Sequence, residues 1–111
     1  MSSQPTMSED CVKTIEITLE KDGTPQVPEG QGTVEINSTK DEEVIWVSKF
    51  PFRIDFKEGT PFYEDQFNQN HHRSGLVRRG LLASRVRYYK YTIEVNGKTL
   101  DPKILVFPGS N

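Results

Sequence analysis

Two adjacent histidines, His71 and His72, carry the most obvious latent chemistry of this chain. They lie in Asn68-Gln69-Asn70-His71-His72-Arg73. Imidazoles hold transition metals, and neighbouring amide oxygens could add ligands. An imidazole can also move a proton near neutral pH. Against this, adjacent residues of an extended chain point to opposite sides, so such a pair rarely chelates one ion. No cysteine or carboxylate-rich cluster lies close by in sequence. The pair therefore reads as solvent-exposed loop histidines, with a metal or proton-transfer role as the alternative. Asp55 and Glu64-Asp65 are carboxylates that could meet them, and spacing does not say whether they do.

The second candidate is a run of bases. Arg73, Arg78, Arg79, Arg85, Arg87 and Lys90 follow one another with no acid among them, and Tyr88, Tyr89 and Tyr91 are interleaved with the last. Residues 1–70 hold 14 acids and 6 bases, a net of -8, whereas residues 71–111 hold 2 acids and 8 bases, a net of +6. Guanidinium groups suit carboxylate or phosphate partners by their bidentate geometry. Basic residues with aromatics could also follow a nucleic-acid backbone. The chain as a whole is acidic, with net charge -2, and carries no nucleic-acid motif, so nucleic acid is disfavoured. The bland reading is a basic edge facing acidic strands of the same domain. The functional one is a partner surface made by Arg73, Arg78, Arg79, Arg85 and Arg87, for an acidic protein or a second copy.

Other chemistry finds no support. There is no nucleophile elbow, phosphate-binding glycine loop, His-Glu-x-x-His or Cys-x-x-Cys, and no cofactor motif. Cys11 is the only cysteine, so no intrachain disulfide can form, and it reads as an ordinary thiol at a strand start. The first ten residues lack the basic start and apolar run of a signal peptide. No run approaches the roughly 18 apolar residues of a membrane span. These features predict a cytoplasmic protein that does not enter membranes.

The elements that must position these residues are strands. With 111 residues there is room for one domain. Hydrophobic content is 33% and mean hydropathy -0.65, but the apolar residues are clustered, and 6 Phe, 4 Tyr and 1 Trp can anchor a core. Residues 1–11 read as a disordered tail, 12–107 as the domain and 108–111 as a C-terminal tail. Ile15, Ile17 and Leu19 alternate with polar residues in a first strand, and Val34 and Ile36 mark a short second one. Val44-Ile45-Trp46-Val47 is continuously apolar and predicts a strand covered on both faces. Phe52, Ile54 and Phe56 alternate after Pro51.

From Lys57 to Gly80 the periodicity fails. The polar tract from Gln66 to Gly75 has too little apolar content to order itself by burial. With the basic half that follows it, the segment from Gln66 to Arg87 predicts a mobile loop that orders when an acidic partner, or the acidic face of a second copy, docks on it. Tyr89, Tyr91, Ile93 and Val95 then alternate into Asn96-Gly97, the strongest short hairpin signal. The return arm carries Leu100, Ile104 and Val106, interrupted by Asp101-Pro102. That interruption makes it an edge strand, a bulge or two short pieces. The predicted core is Ile15, Ile17, Val34, Ile36, Ile45 or its neighbours, Trp46, Phe52, Ile54, Phe56, Tyr91, Ile93, Val95, Ile104 and Val106.

The order of these pieces resembles the cupredoxin-like sandwich, in particular uncharacterised bacterial proteins of that class. It runs strand, Trp-bearing strand, Phe-rich strand, long loop, Tyr89-Lys90-Tyr91, then closing Lys103-Ile104-Leu105-Val106. The resemblance covers Val12 to Val106 in outline and is specific only in the last two motifs. It implies an all-β, antiparallel, two-sheet Greek-key sandwich; an immunoglobulin-like arrangement is the alternative. It also implies where copper ligands would stand. The thiolate position falls on Ile93 and the histidine region on Asn96, with no cysteine after Cys11, no histidine after His72 and no methionine after Met7. Type 1 copper, which needs two His and one Cys, therefore has no ligands here. The resulting expectation is a non-catalytic binding module without cofactor. The alternative is a metal-binding protein or metal-dependent enzyme using His71 and His72.

Overall fold

The computed structural model describes residues 12–38, 40–78 and 86–107. The expected N- and C-terminal tails, Cys11, Arg79 and Arg85 lie outside the described residues. Ten strands run in chain order: β1 (Val12–Leu19), β2 (Pro25–Gln26), β3 (Thr33–Asn37), β4 (Glu43–Ser48), β5 (Arg53–Asp55), β6 (Gln66–Asn68), β7 (Arg87–Lys90), β8 (Thr92–Val95), β9 (Lys98–Leu100) and β10 (Lys103–Phe107). The described residues contain no helix, so none is long and apolar enough to cross a membrane. The fold is all-β.

Two sheets were the expectation, whereas the described strands form three, ordered β2-β1-β4, β3-β10-β7 and β6-β5-β8-β9, because the hairpin arms divide between sheets where Pro102 breaks the ladder. Purely antiparallel pairing was the expectation, and two ladders correct it. β1 runs parallel to β4, from Val12 opposite Glu43 to Ile17 opposite Ser48. β10 runs parallel to β3, from Lys103 opposite Thr33 to Phe107 opposite Asn37. Alternation along a strand reports which face is buried, not the direction of its neighbour. Parallel pairing here comes from long connections, which carry the chain back before it pairs.

The closing hairpin is built as its turn residues dictate. Asn96 and Gly97 have φ of 53° and 83°, the left-handed pair of a type I′ turn. From this turn the register is continuous. Ile93 faces Leu100 in β8–β9, and Lys90 faces Lys103 in β7–β10. The ladder breaks between them because Pro102 has no N–H to donate. Tyr91 N still donates to Pro102 O at 3.1 Å, and Lys103 N donates to Gly32 O at 3.0 Å. At this break the two halves of one hairpin join different sheets, β8 beside β5 and β7 at an edge. The return arm is thus two short pieces.

One cluster of buried side chains fills the interior. It contains the predicted residues with Val44 in place of Ile45. In β4 only one face is covered: Val44 and Trp46 are buried, Ile45 is half-buried and Val47 is 37% exposed. The continuous apolar run therefore does not mark a doubly covered strand. At the centre, Trp46 lies 5.1 Å from Phe67 and 5.7 Å from Tyr91 between ring centroids. Phe56 stacks on Tyr91 at 4.9 Å and meets Phe62 edge-on at 5.9 Å. The indole Nε1–H of Trp46 donates to the Tyr91 hydroxyl at 3.2 Å, which satisfies the one polar group the indole brings inside.

The segment after Lys57 departs from its expected lack of structure. Phe62 and Phe67 are fully buried, and Gln66–Asn68 pairs antiparallel with β5 as β6. Thr60 organises the approach: its hydroxyl accepts from Phe62 N at 3.0 Å and donates to Glu64 O at 2.9 Å. Phe56 N donates to Asp65 O at 2.8 Å. Further on, residues 72–74 lie along the second edge of β4. Trp46 N donates to His72 O at 3.0 Å, and Ser74 N donates to Val44 O at 2.8 Å. The Ser74 hydroxyl, itself buried, accepts from Val44 N at 2.8 Å. Two isolated aromatics anchor a stretch whose average composition is polar, because each fully buried ring removes a large apolar surface from water while its polar neighbours stay solvated.

Candidate partner-binding site

The two histidines do not converge. His71 sits in a tight turn, where its N–H donates to Asn68 O at 2.9 Å and its O accepts from Asn68 N at 3.1 Å. Its ring stacks on Phe67, with centroids 5.4 Å apart, and its Nε2 meets the Glu64 carboxylate. His72 turns the other way, with Nδ1 3.3 Å from Gln69 O. Among the described residues no group of three His, Cys, Asp or Glu side chains is placed to hold a metal. The carboxylate that reaches a histidine is Glu64, and an open depression of about 480 Å³ lies beside it, lined by Thr60, Tyr63, Glu64, Asp65 and Gln66.

The described arginines of the basic run have separate fates. Arg73 reaches back to β4 and forms a forked pair with Glu43, Nη2 to Oε2 at 2.7 Å and Nε to Oε1 at 3.4 Å. These hydrogen bonds, with the charge of Glu43, raise the guanidinium above its ordinary pKa. Arg78 is held on the Thr60 loop: its Nε donates to Thr60 O at 3.0 Å and its N donates to Pro61 O at 2.9 Å. Both therefore have partners within the chain. Arg87 is exposed at the start of β7.

The outward face of β7 and β10 carries what remains. β10 buries Ile104 and Val106, so Lys103, Leu105 and Phe107 alternate outward. Opposite them stand Lys90, facing Lys103, and Tyr88, facing Leu105. Tyr88 is 61% exposed and Val86 43%. The Lys103 ammonium lies over the Tyr88 ring, 5.7 Å from its centroid, in a cation–π contact. Val86, Arg87, Tyr88 and Tyr89 line an open groove of about 520 Å³. The result is a ribbon with Lys90 and Lys103 around an exposed aromatic ring on this face, and with Arg87, opposite Val106, at the same strand's start on the other face.

Sequence reasoning missed Lys103, because it lies beyond the basic run. The signal that finds it is the Asn96-Gly97 turn, whose register continues to place Lys103 across from Lys90. It also missed Glu43 as the partner of Arg73, 30 residues away and joined only through the packing of residues 72–74 on β4. No family model matches the chain, and no curated protein or solved structure matches it either.

Proposed function

We propose that the chain is a non-catalytic binding module, a Greek-key sandwich of the cupredoxin-like type without type 1 copper, that holds an acidic partner. The fold reading is supported by the all-β order and by the continuous hairpin, which links two of the sheets at Tyr91 and Pro102. Ile93, at the position where the resemblance would put a thiolate, is a fully buried core residue. The observation that carries the functional reading is the exposed ribbon of Arg87, Tyr88, Lys90 and Lys103. Desolvating a large aromatic surface while pairing several bases with carboxylates is the pattern of a partner-binding anchor.

The partner-binding arginines of the sequence reading then divide by role. Arg87 belongs to the ribbon, whereas Arg73 and Arg78 brace residues 72–78 against Glu43 and Thr60. The test is retention of partners from the native host on the immobilised chain, at low and raised salt. A triple variant, Arg87→Glu, Lys90→Glu and Lys103→Glu, keeps the wild-type circular dichroism spectrum and loses the partner. Salt weakens binding, because screening falls to about 8 Å at physiological ionic strength. Equal, salt-insensitive retention by the triple variant would sink this reading.

A further inference from the structure

Among the described residues, one edge of β7 has no neighbouring strand, and the backbone groups on that edge define how a partner docks. Tyr91 N donates across to Pro102 O, so the backbone groups of Tyr91 face β10. In an antiparallel ladder alternate residues share that direction, so those of Tyr89 and Arg87 face β10 as well. The N–H and C=O of Tyr88 and Lys90 face the opposite edge. Further along the same edge, β5 covers β8, with Asp55 opposite Thr92 and Arg53 opposite Glu94. β5 ends at Asp55, Phe56 N continues its register with β6 by bonding to Asp65 O, and the chain then turns at Lys57 and Glu58, where Gly59 N bonds to Phe56 O at 3.3 Å. Among the described residues no strand pairs with β7 on that side.

We propose that an extended acidic segment of a partner protein adds to this edge as a strand, bonding to the Tyr88 and Lys90 backbone. Strand addition takes affinity from main-chain hydrogen bonds and specificity from alternate side chains. Here the alternation is explicit. An apolar partner residue packs against Tyr88 and Val86, and flanking carboxylates meet Lys90 on one face and Arg87 on the other. A second copy is the poorer occupant: β7 against β7 would bring two Arg87 and two Lys90 side chains together, and like charges across a strand pair are destabilising. At the Lys90 end a groove of about 190 Å³, lined by Asp55, Glu58 and Asp101 with Lys57, disfavours further acidic residues. The docked acidic segment is therefore short.

This inference rests on the binding-module reading and specifies its geometry. The probe is the blocked hexapeptide Glu-Glu-Val-Glu-Val-Glu, which as an added antiparallel strand presents glutamate to Lys90 and valine to Tyr88 and Val86 on one face and glutamate to Arg87 on the other; it is titrated into the isotope-labelled chain by NMR. The expected result is amide shifts centred on Tyr88 and Lys90. Methylating the peptide's alternate nitrogens on its bonding edge leaves its charge unchanged and weakens binding about tenfold or more, as the loss of two backbone hydrogen bonds requires. Tyr88→Pro weakens binding more than Tyr88→Ala does, since both remove the ring but only proline also removes the edge nitrogen, which is outside the β10 ladder where an edge strand tolerates proline. The methylated peptide needs no change to the protein, so misfolding of the proline variant does not blunt the test. Equal binding of both peptides would overturn strand addition while leaving charge-driven binding intact. A partner retained from the host with no peptide response would do the same. A dimer abolished by Tyr88→Pro would replace the acidic segment by a second copy.

Discussion

Replacing Tyr91 with phenylalanine removes one oxygen from the centre of the core and nothing else. The ring keeps its stacking on Phe56 and its edge contact with Trp46. The Trp46 indole N–H, however, loses the only acceptor it has, in a position where no water reaches it. Leaving a buried donor unpaired costs about 1–3 kcal/mol. For a domain near this size each kcal/mol lowers Tm by about 4–8 °C, so the variant melts several degrees lower. The same hydroxyl also makes stability depend on pH. Burial pushes the Tyr91 phenol well above its usual 10.0. A folded-state pKa raised above the unfolded one gives stability that is complete below the unfolded value and is lost as pH climbs toward the folded one. By about pH 11, ionisation of Tyr91 in the unfolded chain has removed about 1.4 kcal/mol. The phenylalanine variant lacks this term, so the gap between the two proteins narrows as pH rises from 9 to about 11. Urea titrations at each pH, followed by circular dichroism and by the fluorescence of the single tryptophan, read both effects. A variant as stable as the parent at neutral pH, or a gap that does not narrow, would refute the placement of the Tyr91 hydroxyl against Trp46.

Three further outcomes are expected. Phe67→Ala opens a cavity beside Trp46 and costs about 3–5 kcal/mol in urea unfolding, although it lies in the most polar tract of the chain. Ser74→Ala strips Val44 N–H of its side-chain acceptor in the buried seam beside β4 and costs about 1–3 kcal/mol; hydrogen exchange at Val44 accelerates. Tag-free protein titrated with zinc or copper keeps its melting temperature, whereas a rise that vanishes in His71→Ala would install His71 and Glu64 as ligands.

Much of the core was legible from alternation alone. Ile15 and Ile17, Val34 and Ile36, Phe52, Ile54 and Phe56, and Tyr91, Ile93 and Val95 all point inward because the period of a strand leaves them one face to share. Asn96-Gly97 likewise determined the hairpin turn, since few residue pairs accept two left-handed conformations. By type, the bases and tyrosines of the candidate ribbon were also visible in the sequence. Tertiary structure alone decided the rest. A run such as Val44-Ile45-Trp46-Val47 holds no period, so only the neighbouring strands determine that Val44 is buried and Val47 exposed. Phe62 and Phe67 stand alone in polar surroundings, and their burial depends on a cavity walled by distant strands. The parallel pairing of β1 with β4 and of β3 with β10 rests on chain direction, which no local pattern encodes. Charge is local, but its use is not. Arg73 is matched by Glu43 only because the two are brought side by side at the edge of β4, whereas Lys103 joins Tyr88 because the Asn96-Gly97 turn between them sets the register.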